Sequence, residues 1–216
     1  MKTGLRQREI LTTMAKTTGS DLLIRALRAE GVDTVFGIAG DHILHMLDTM
    51  FDAPLRMVDF RHESGAVHAA DSYSRILKKG AVMLSTTPGH ANALPALANA
   101  IHSEAPVINI AGSAESPNLG RGAMQEFDQI NAAKPITKGA WEVPSSSRIP
   151  EYVALAFRTA LSGRQGPVHL TIPHDFQMAE VDDAEVARYT PSEYGLSSLV
   201  LGDPDQVEKA IDLLST

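Results

Sequence analysis

Short apolar runs alternate with segments of helical period along most of this 216-residue chain, and no other feature narrows its fold so far. Runs at 34–38, 81–85 (AVMLS), 107–111 (VINIA) and 168–172 (VHLTI) are mostly apolar, as strands buried on both faces are, and 55–60 reads as a further strand. Helical spacing fills the gaps. Thr18-Gly19-Ser20-Asp21 starts a helix carrying Leu22, Leu23 and Leu27, which stops at Gly31. Asp41 is placed to cap a helix with Ile43, Leu44, Leu47 and Met50 on its apolar face. Ala-rich helices are expected from Glu63 to Leu77 and over 92–102, and Pro150 opens another over 151–161. The alternation predicts an α/β fold, a doubly wound and mostly parallel sheet of about six strands with helices on both faces.

The ends of the chain have a different character. Residues 1–17 read as an N-terminal extension, with a second methionine, Met14, just before the first periodic segment. Residues 18–180 form the expected domain. Over 181–216 a linker rich in acids, Ser, Pro and Gly leads to an amphipathic helix with Val207, Ala210, Ile211 and Leu214 on one face. Alone, such a helix has nothing to bury that face against, so it is expected to be the first element of a further, middle domain.

The balance of charge limits the partners. A formal net charge of −7 without a basic run makes nucleic acid or an anionic membrane a poor partner. With no cysteine there is no thiolate nucleophile, disulfide frame or Cys-ligated zinc. No apolar run approaches the roughly 20 residues of a membrane-spanning helix, and the N-terminus lacks a signal-peptide core, so a cytoplasmic location is expected.

In an open parallel sheet, ligands bind at the carboxyl ends of the strands, where three loops carry polar residues. Gly37-Ile38-Ala39-Gly40 is, read alone, a tight strand-to-helix turn, since no GxGxxG and no Walker lysine motif is present. Phe60-Arg61-His62-Glu63 places an acid at a helix start, where capping and the helix dipole already account for it. Ser85-Thr86-Thr87-Pro88-Gly89-His90-Ala91-Asn92 reads as a turn into a helix, with a backbone open to a flat polar ligand. His62 and His68, six apart, fall on different helix faces, and no metal-ligand set is visible. Ser113 and Ser116 form no GxSxG elbow.

Taken in order, VFGIAGDHI, RHESGAVHAADSYSR, STTPGHANAL, PVINIAGS, GAMQEFDQ, PITKGAW and GPVHLTIPHD resemble the thiamine-diphosphate-dependent enzymes. The resemblance covers about residues 18 to 180. It is closest to the N-terminal, pyrimidine-binding domain of the acetolactate (acetohydroxyacid) synthase-like branch. It implies a catalytic Glu63 that hydrogen-bonds the aminopyrimidine of thiamine diphosphate, so that the cofactor's amino nitrogen acts as internal base in forming the ylide. It further implies cofactor contacts from Ile38, Ala39, Gly40, Thr86, Pro88, Gly89 and Asn92, a catalytic Gln125 near the reacting centre, and Met124 and Lys138 toward the substrate. The implied substrate is a small 2-oxo acid, decarboxylated or joined to a second carbonyl compound.

The pattern also departs from the synthases. They usually carry Pro at the place of Ala39, Gln at Ser64, Gly at Thr87 and Phe at Met124, and the last lies near substrate or flavin. A related decarboxylase, lyase, cyclic-dione hydrolase or acetyltransferase therefore stays open, as does the use of FAD. In the family, diphosphate and Mg²⁺ are held by a GDG…N motif on another domain. Gly202-Asp203-Pro204 lacks the second glycine, so Mg²⁺ is expected on an absent domain or a partner. Three readings follow. The chain is the pyrimidine-binding part of a larger enzyme and inactive alone, a dedicated subunit needing a partner that carries the diphosphate domain, or a non-catalytic assembly module. A homo-oligomer is expected in the first.

Overall fold

The structure, a computed structural model, describes residues 16–191 and 202–215. The rest of the expected N-terminal extension and residues 192–201 of the expected linker lie outside them. Six strands form one parallel sheet: β2 (Thr34–Gly37), β3 (Arg56–Asp59), β4 (Ala81–Ser85), β5 (Val107–Ser113), β6 (Ala140–Glu142) and β7 (Val168–Pro173), in the order β3-β2-β4-β5-β7-β6. Every pairing in it is parallel. A separate two-stranded ladder joins β1 (Lys16–Thr18) antiparallel to β8 (Glu180–Asp182). The ladder takes two residues from the expected extension and two from the expected linker into the folded unit.

Side-chain alternation along the strands divides the core into two layers. Val35, Val82, Leu84, Ile108, Ile110, Leu170 and Ile172 pack with helices α1 (Gly19–Ala29), α2 (Leu44–Phe51) and α6 (Ile149–Leu161). Phe36, Ala81, Met83 and Val107 face the other way, onto α3 (Glu63–Leu77) and α4 (Thr87–His102). Helix α1 starts as expected, with a capping box between Thr18 and Asp21. Helix α3 has the expected bounds.

Three local expectations are corrected. A 3₁₀ turn, Asp41–Ile43, precedes α2, and Gly40 rather than Asp41 stands at its N-cap, with no side-chain bond. That turn shifts the helical phase, so Met46 and Met50 are buried while Leu44 is 51% exposed. Helix α4 begins at Thr87 rather than 92, because Pro88 sits in the first turn, where a missing N–H costs nothing. The irregular stretch 114–145 contains a short helix, α5 (Gln129–Ala133), and the edge strand β6.

Strand β2 leads through α2 to β3 on one side, while β4 leads through α4 to β5 on the other. The chain therefore reverses direction across the sheet between β2 and β4, and their carboxyl ends open a crevice where doubly wound sheets place ligands. Helix α7 (His174–Met178) follows β7 at the same edge. The last described helix, α8 (Pro204–Leu214), has no buried residue, and Val207, Ile211 and Leu214 on its apolar face are exposed. Among the described residues no helix is long and apolar enough to cross a membrane.

Candidate functional site

Glu63 is the first residue of α3, and its carboxylate lies favourably at the positive end of the helix dipole. The N-cap is His62, whose Nδ1 accepts from the Ser64 amide at 3.2 Å. Two bonds tie this end of α3 to α4. Asn92 Nδ2 donates to Glu63 Oε2 at 3.0 Å, and Ser64 Oγ donates to the Asn92 carbonyl at 2.6 Å. The other carboxylate oxygen, Oε1, accepts no hydrogen bond among the described residues, and Glu63 is only half-buried. One oxygen is anchored and one is open.

The first turn of α4 is shaped for this carboxylate. A methyl group at Gly89 would stand 2.7 Å from Glu63 Oε1 and 2.8 Å from Ser85 Cβ, closer than real side chains approach. Glycine is therefore what lets the carboxylate lie on the helix backbone. Beneath it, Ser85 ends β4 fully buried, and its hydroxyl has no partner. Across the crevice, a Cβ at Gly40 would come within 2.5 Å of Thr86 Cγ2, so the loop after β2 also rests on the N-cap residue of α4. The structure thus brings Glu63, Gly89 and Asn92 together, with Gly40 and Thr86 touching beside them and Ile38, Ala39 and Pro88 on the same two loops.

A flat heterocycle with polar edges fits these groups. Oε1 of Glu63, free of hydrogen bonds among the described residues, offers it a carboxyl oxygen, and Gly40 and Gly89 let Thr86 and the carboxylate pack closely on the two backbones beside it. For thiamine diphosphate, Glu63 would take a ring nitrogen and the two glycine turns the ring faces.

Three other expected site residues lie elsewhere. Met124 and Gln125 stand exposed on the loop between β5 and α5, Gln125 with φ of 58°. No hydrogen bond among the described residues joins Gln125 to Glu63. The loop is held instead by Glu126, whose carboxylate accepts from the amides of Gly120, Gly122 and Ala123. These bonds, that from Gly120 foremost, hold its pKa below the ordinary carboxylate value. Lys138 is at the opposite edge of the sheet, ahead of β6. Its ammonium donates to the carbonyls of Thr159 and Ser162 at the end of α6, and burial lowers its pKa.

A buried polar cluster beside the site was not anticipated from the sequence. The rings of His90, from α4, and His169, from β7, stack with centroids 3.9 Å apart. Asn109, from β5, donates from Nδ2 to Nδ1 of both, at 2.8 and 2.9 Å. Burial pushes His90 down to about 4, and His169 falls well below the ordinary histidine value. Gln129 and Thr171 complete the cluster and line a cavity of about 250 Å³ with Ser113 and Phe127. A larger cleft of about 770 Å³ lies against α1, α2 and β1 and includes none of the expected site residues. Among the described residues no group of three or more His, Asp or Glu is placed to hold a metal ion.

Comparison with known proteins finds similar chains. Residues 17–132 match the family described as "Thiamine pyrophosphate enzyme, N-terminal TPP binding domain". The chain is 35% identical over 202 residues to a "Probable acetolactate synthase large subunit" of Methanocaldococcus jannaschii, covering 91% of this chain and 34% of that protein. It is 39% identical over 165 residues to "Acetolactate synthase isozyme 2 large subunit" of Escherichia coli, covering 76% and 30%. Among solved structures, the thiamine diphosphate-dependent 4-hydroxybenzoylformate decarboxylase of Rhodococcus jostii RHA1 superposes with a TM-score of 0.76 at 28% identity, covering 92% of this chain and 37% of that one. The chain spans about a third of the length of these curated relatives.

Proposed function

This chain belongs to the thiamine pyrophosphate enzymes, carrying their N-terminal TPP-binding domain, and from that premise we propose that it is the pyrimidine-binding half of an enzyme acting on 2-oxo acids, with Glu63 as its activating carboxyl group. Thiamine diphosphate, when bound, supplies a carbon nucleophile for the carbonyl of a 2-oxo acid. The protein's part is to move one proton and hold one ring. Asn92 fixes Oε2 of Glu63, which leaves Oε1 to share a proton with a nitrogen of the heterocycle. Gly40 seats Thr86 and Gly89 seats the Glu63 carboxylate, so the two loops present a fixed frame to the ring.

The proposed reaction is acetolactate synthase-like, a decarboxylation followed by carbon–carbon bond formation, in keeping with the names of the relatives. Diphosphate and Mg²⁺ are assigned to a second domain, in a longer chain or on a partner subunit, and the 216-residue chain alone is expected to be inactive. A dimeric, cytoplasmic enzyme belongs to the same proposal, and no step is assigned to FAD. A second reading, decarboxylation without carboligation, is favoured by Met124 standing where synthases carry Phe.

The single observation supporting the proposal is the Glu63 carboxylate, anchored on one oxygen by Asn92 and seated on Gly89. Calorimetric titration of the chain with thiamine diphosphate, at concentrations high enough for the weak binding expected without the diphosphate contacts, tests it. A charge-assisted bond of about 1.5–3 kcal/mol implies roughly 10- to 100-fold weaker binding in Glu63→Ala. Equal affinity with and without that side chain overturns the proposal.

A further inference from the structure

Gln129 touches the first turn of α4 at two points. Its Nε2 donates to Thr87 Oγ1 at 2.9 Å and to the Gly112 carbonyl at 3.1 Å, while its backbone carbonyl lies 3.2 Å from His90 Nε2. Thr87 and His90 bracket Pro88 and Gly89, and Gly89 is the residue on which Glu63 is seated. At 2% exposure, Gln129 has a partner for every side-chain polar atom, its Oε1 accepting from Thr171 Oγ1 at 2.9 Å.

The bonds close a ring. A backbone carbonyl only accepts, so His90 carries its proton on Nε2 and presents a lone pair at Nδ1 to Asn109. Asn109 donates likewise to His169 Nδ1, leaving His169 Nε2–H to donate to Thr171 Oγ1 at 2.8 Å. The hydroxyl proton of Thr171 then goes to Gln129. Two donor chains thus leave the Asn109 amide and both end on Gln129, crossing α4, β5 and β7 through neutral buried groups that reinforce one another. Gln129 is also the first residue of α5, directly after the loop that carries Met124 and Gln125.

We propose that Gln129 is a positioning residue for the candidate site, clamping the Thr87–His90 turn under Glu63 and tying the Met124–Gln125 loop to it. The inference rests on the function proposed above, but its principal readouts need no cofactor. Gln129→Met keeps the volume and removes both clamp arms of the side chain. In the full chain, native-state hydrogen exchange is expected to rise about tenfold at the amides of His90, Ala91 and Asn92, the first hydrogen-bonded amides of α4. Rates at Ile110 and Leu170 stay unchanged. The His90 Nε2–H resonance, protected in the parent, is expected to broaden as the ring opens. Unchanged exchange at 90–92 in a folded variant overturns the clamp, and so does an equal rise at Ile110 and Leu170. Should Gln129→Met fail to fold, Thr87→Val removes one arm and is read in the same way. Thiamine diphosphate titration of the parent chain separates the two ideas. Absence of Glu63-dependent binding there defeats the function, whereas unaltered exchange defeats the clamp alone.

Discussion

Asn92 Nδ2 lies 3.0 Å from Glu63 Oε2, joining the starts of two helices across 29 residues of sequence. The bond holds a carboxylate at the ligand-bearing edge with one oxygen free, and its loss has a definite consequence. Asn92→Asp places a second carboxylate on the first, so only one of the pair ionises readily. Thiamine diphosphate binding, followed by calorimetry between pH 5 and 8, is expected to become more pH-dependent in this variant than in the parent. A parallel profile in both removes Asn92 from the site.

Gly89→Ala sets helix propensity against sterics. Alanine gains about 1 kcal/mol in a helix interior, yet its methyl would stand 2.7–2.8 Å from Glu63 and Ser85. Overpacking of this kind costs about 1–3 kcal/mol. The expected result is a chain no more stable in urea than the parent, and at least tenfold weaker thiamine diphosphate binding because the carboxylate is pushed away. A stabilised variant with unchanged affinity contradicts the seat described for Glu63.

Acid is expected to weaken the fold before it protonates most carboxylates. His90 has a pKa near 4, depressed by burial, against 6.5 when unfolded. Its contribution is complete above the unfolded value and is lost as pH falls from about 6.5 toward 4. At 1.36 kcal/mol per unit, roughly 1.4 kcal/mol is gone by pH 5.5 and about 3 kcal/mol by pH 4. His169, also depressed, adds in the same direction. Urea unfolding at pH 7 and 5.5 measures it, and a flat stability over that interval refutes the assignment.

Lys138 is expected to answer to stability rather than to the ligand, since its ammonium is held by the Thr159 and Ser162 carbonyls. Lys138→Met removes two charge-assisted bonds from the end of α6 and is expected to cost about 1–3 kcal/mol. Glu63-dependent binding is expected to be unchanged, because this side chain lies at the other edge of the sheet. Weaker binding with unchanged urea stability reverses that assignment.

Glu126→Ala frees the amides of Gly120, Gly122 and Ala123 that hold the loop between β5 and α5. Limited proteolysis is expected to cut within 116–128 faster than in the parent, while sites in the sheet stay protected. Equal cleavage rates show that the loop is ordered by other means.

The strands that read most plainly were those buried on both faces. AVMLS, VINIA and VHLTI became β4, β5 and β7, because continuous apolarity has one economical solution in a parallel sheet. Strand β6 escaped notice since three residues, Ala140–Glu142, are too few to show a period. The place of Glu63 at a helix start was legible in the residues, but its expected role came only from the resemblance. Gln129 and the histidine stack were not legible, although a signal existed. Asn109 and His169 are polar residues in the middle of runs otherwise built for burial, and they sit directly across from each other in register. Such residues need buried partners, and the search for those partners leads to His90, Thr171 and Gln129. Thr87 and Ser64 both depart from the synthase pattern, and each supplies a hydroxyl that cross-links the site.

The three-pair ladder of Lys16–Thr18 with Glu180–Asp182 has a mechanical consequence. Because β1 and β8 run side by side, tension applied to residues 16 and 182 falls on that short zipper first, with Val186 and the Arg25–Asp183 pair as a further hold just beyond it. The six-stranded sheet is loaded only after the zipper has opened. Residues 16 and 182 therefore act as a fuse, and linking them by a short loop would allow the unit to be cut open and rejoined elsewhere along its surface.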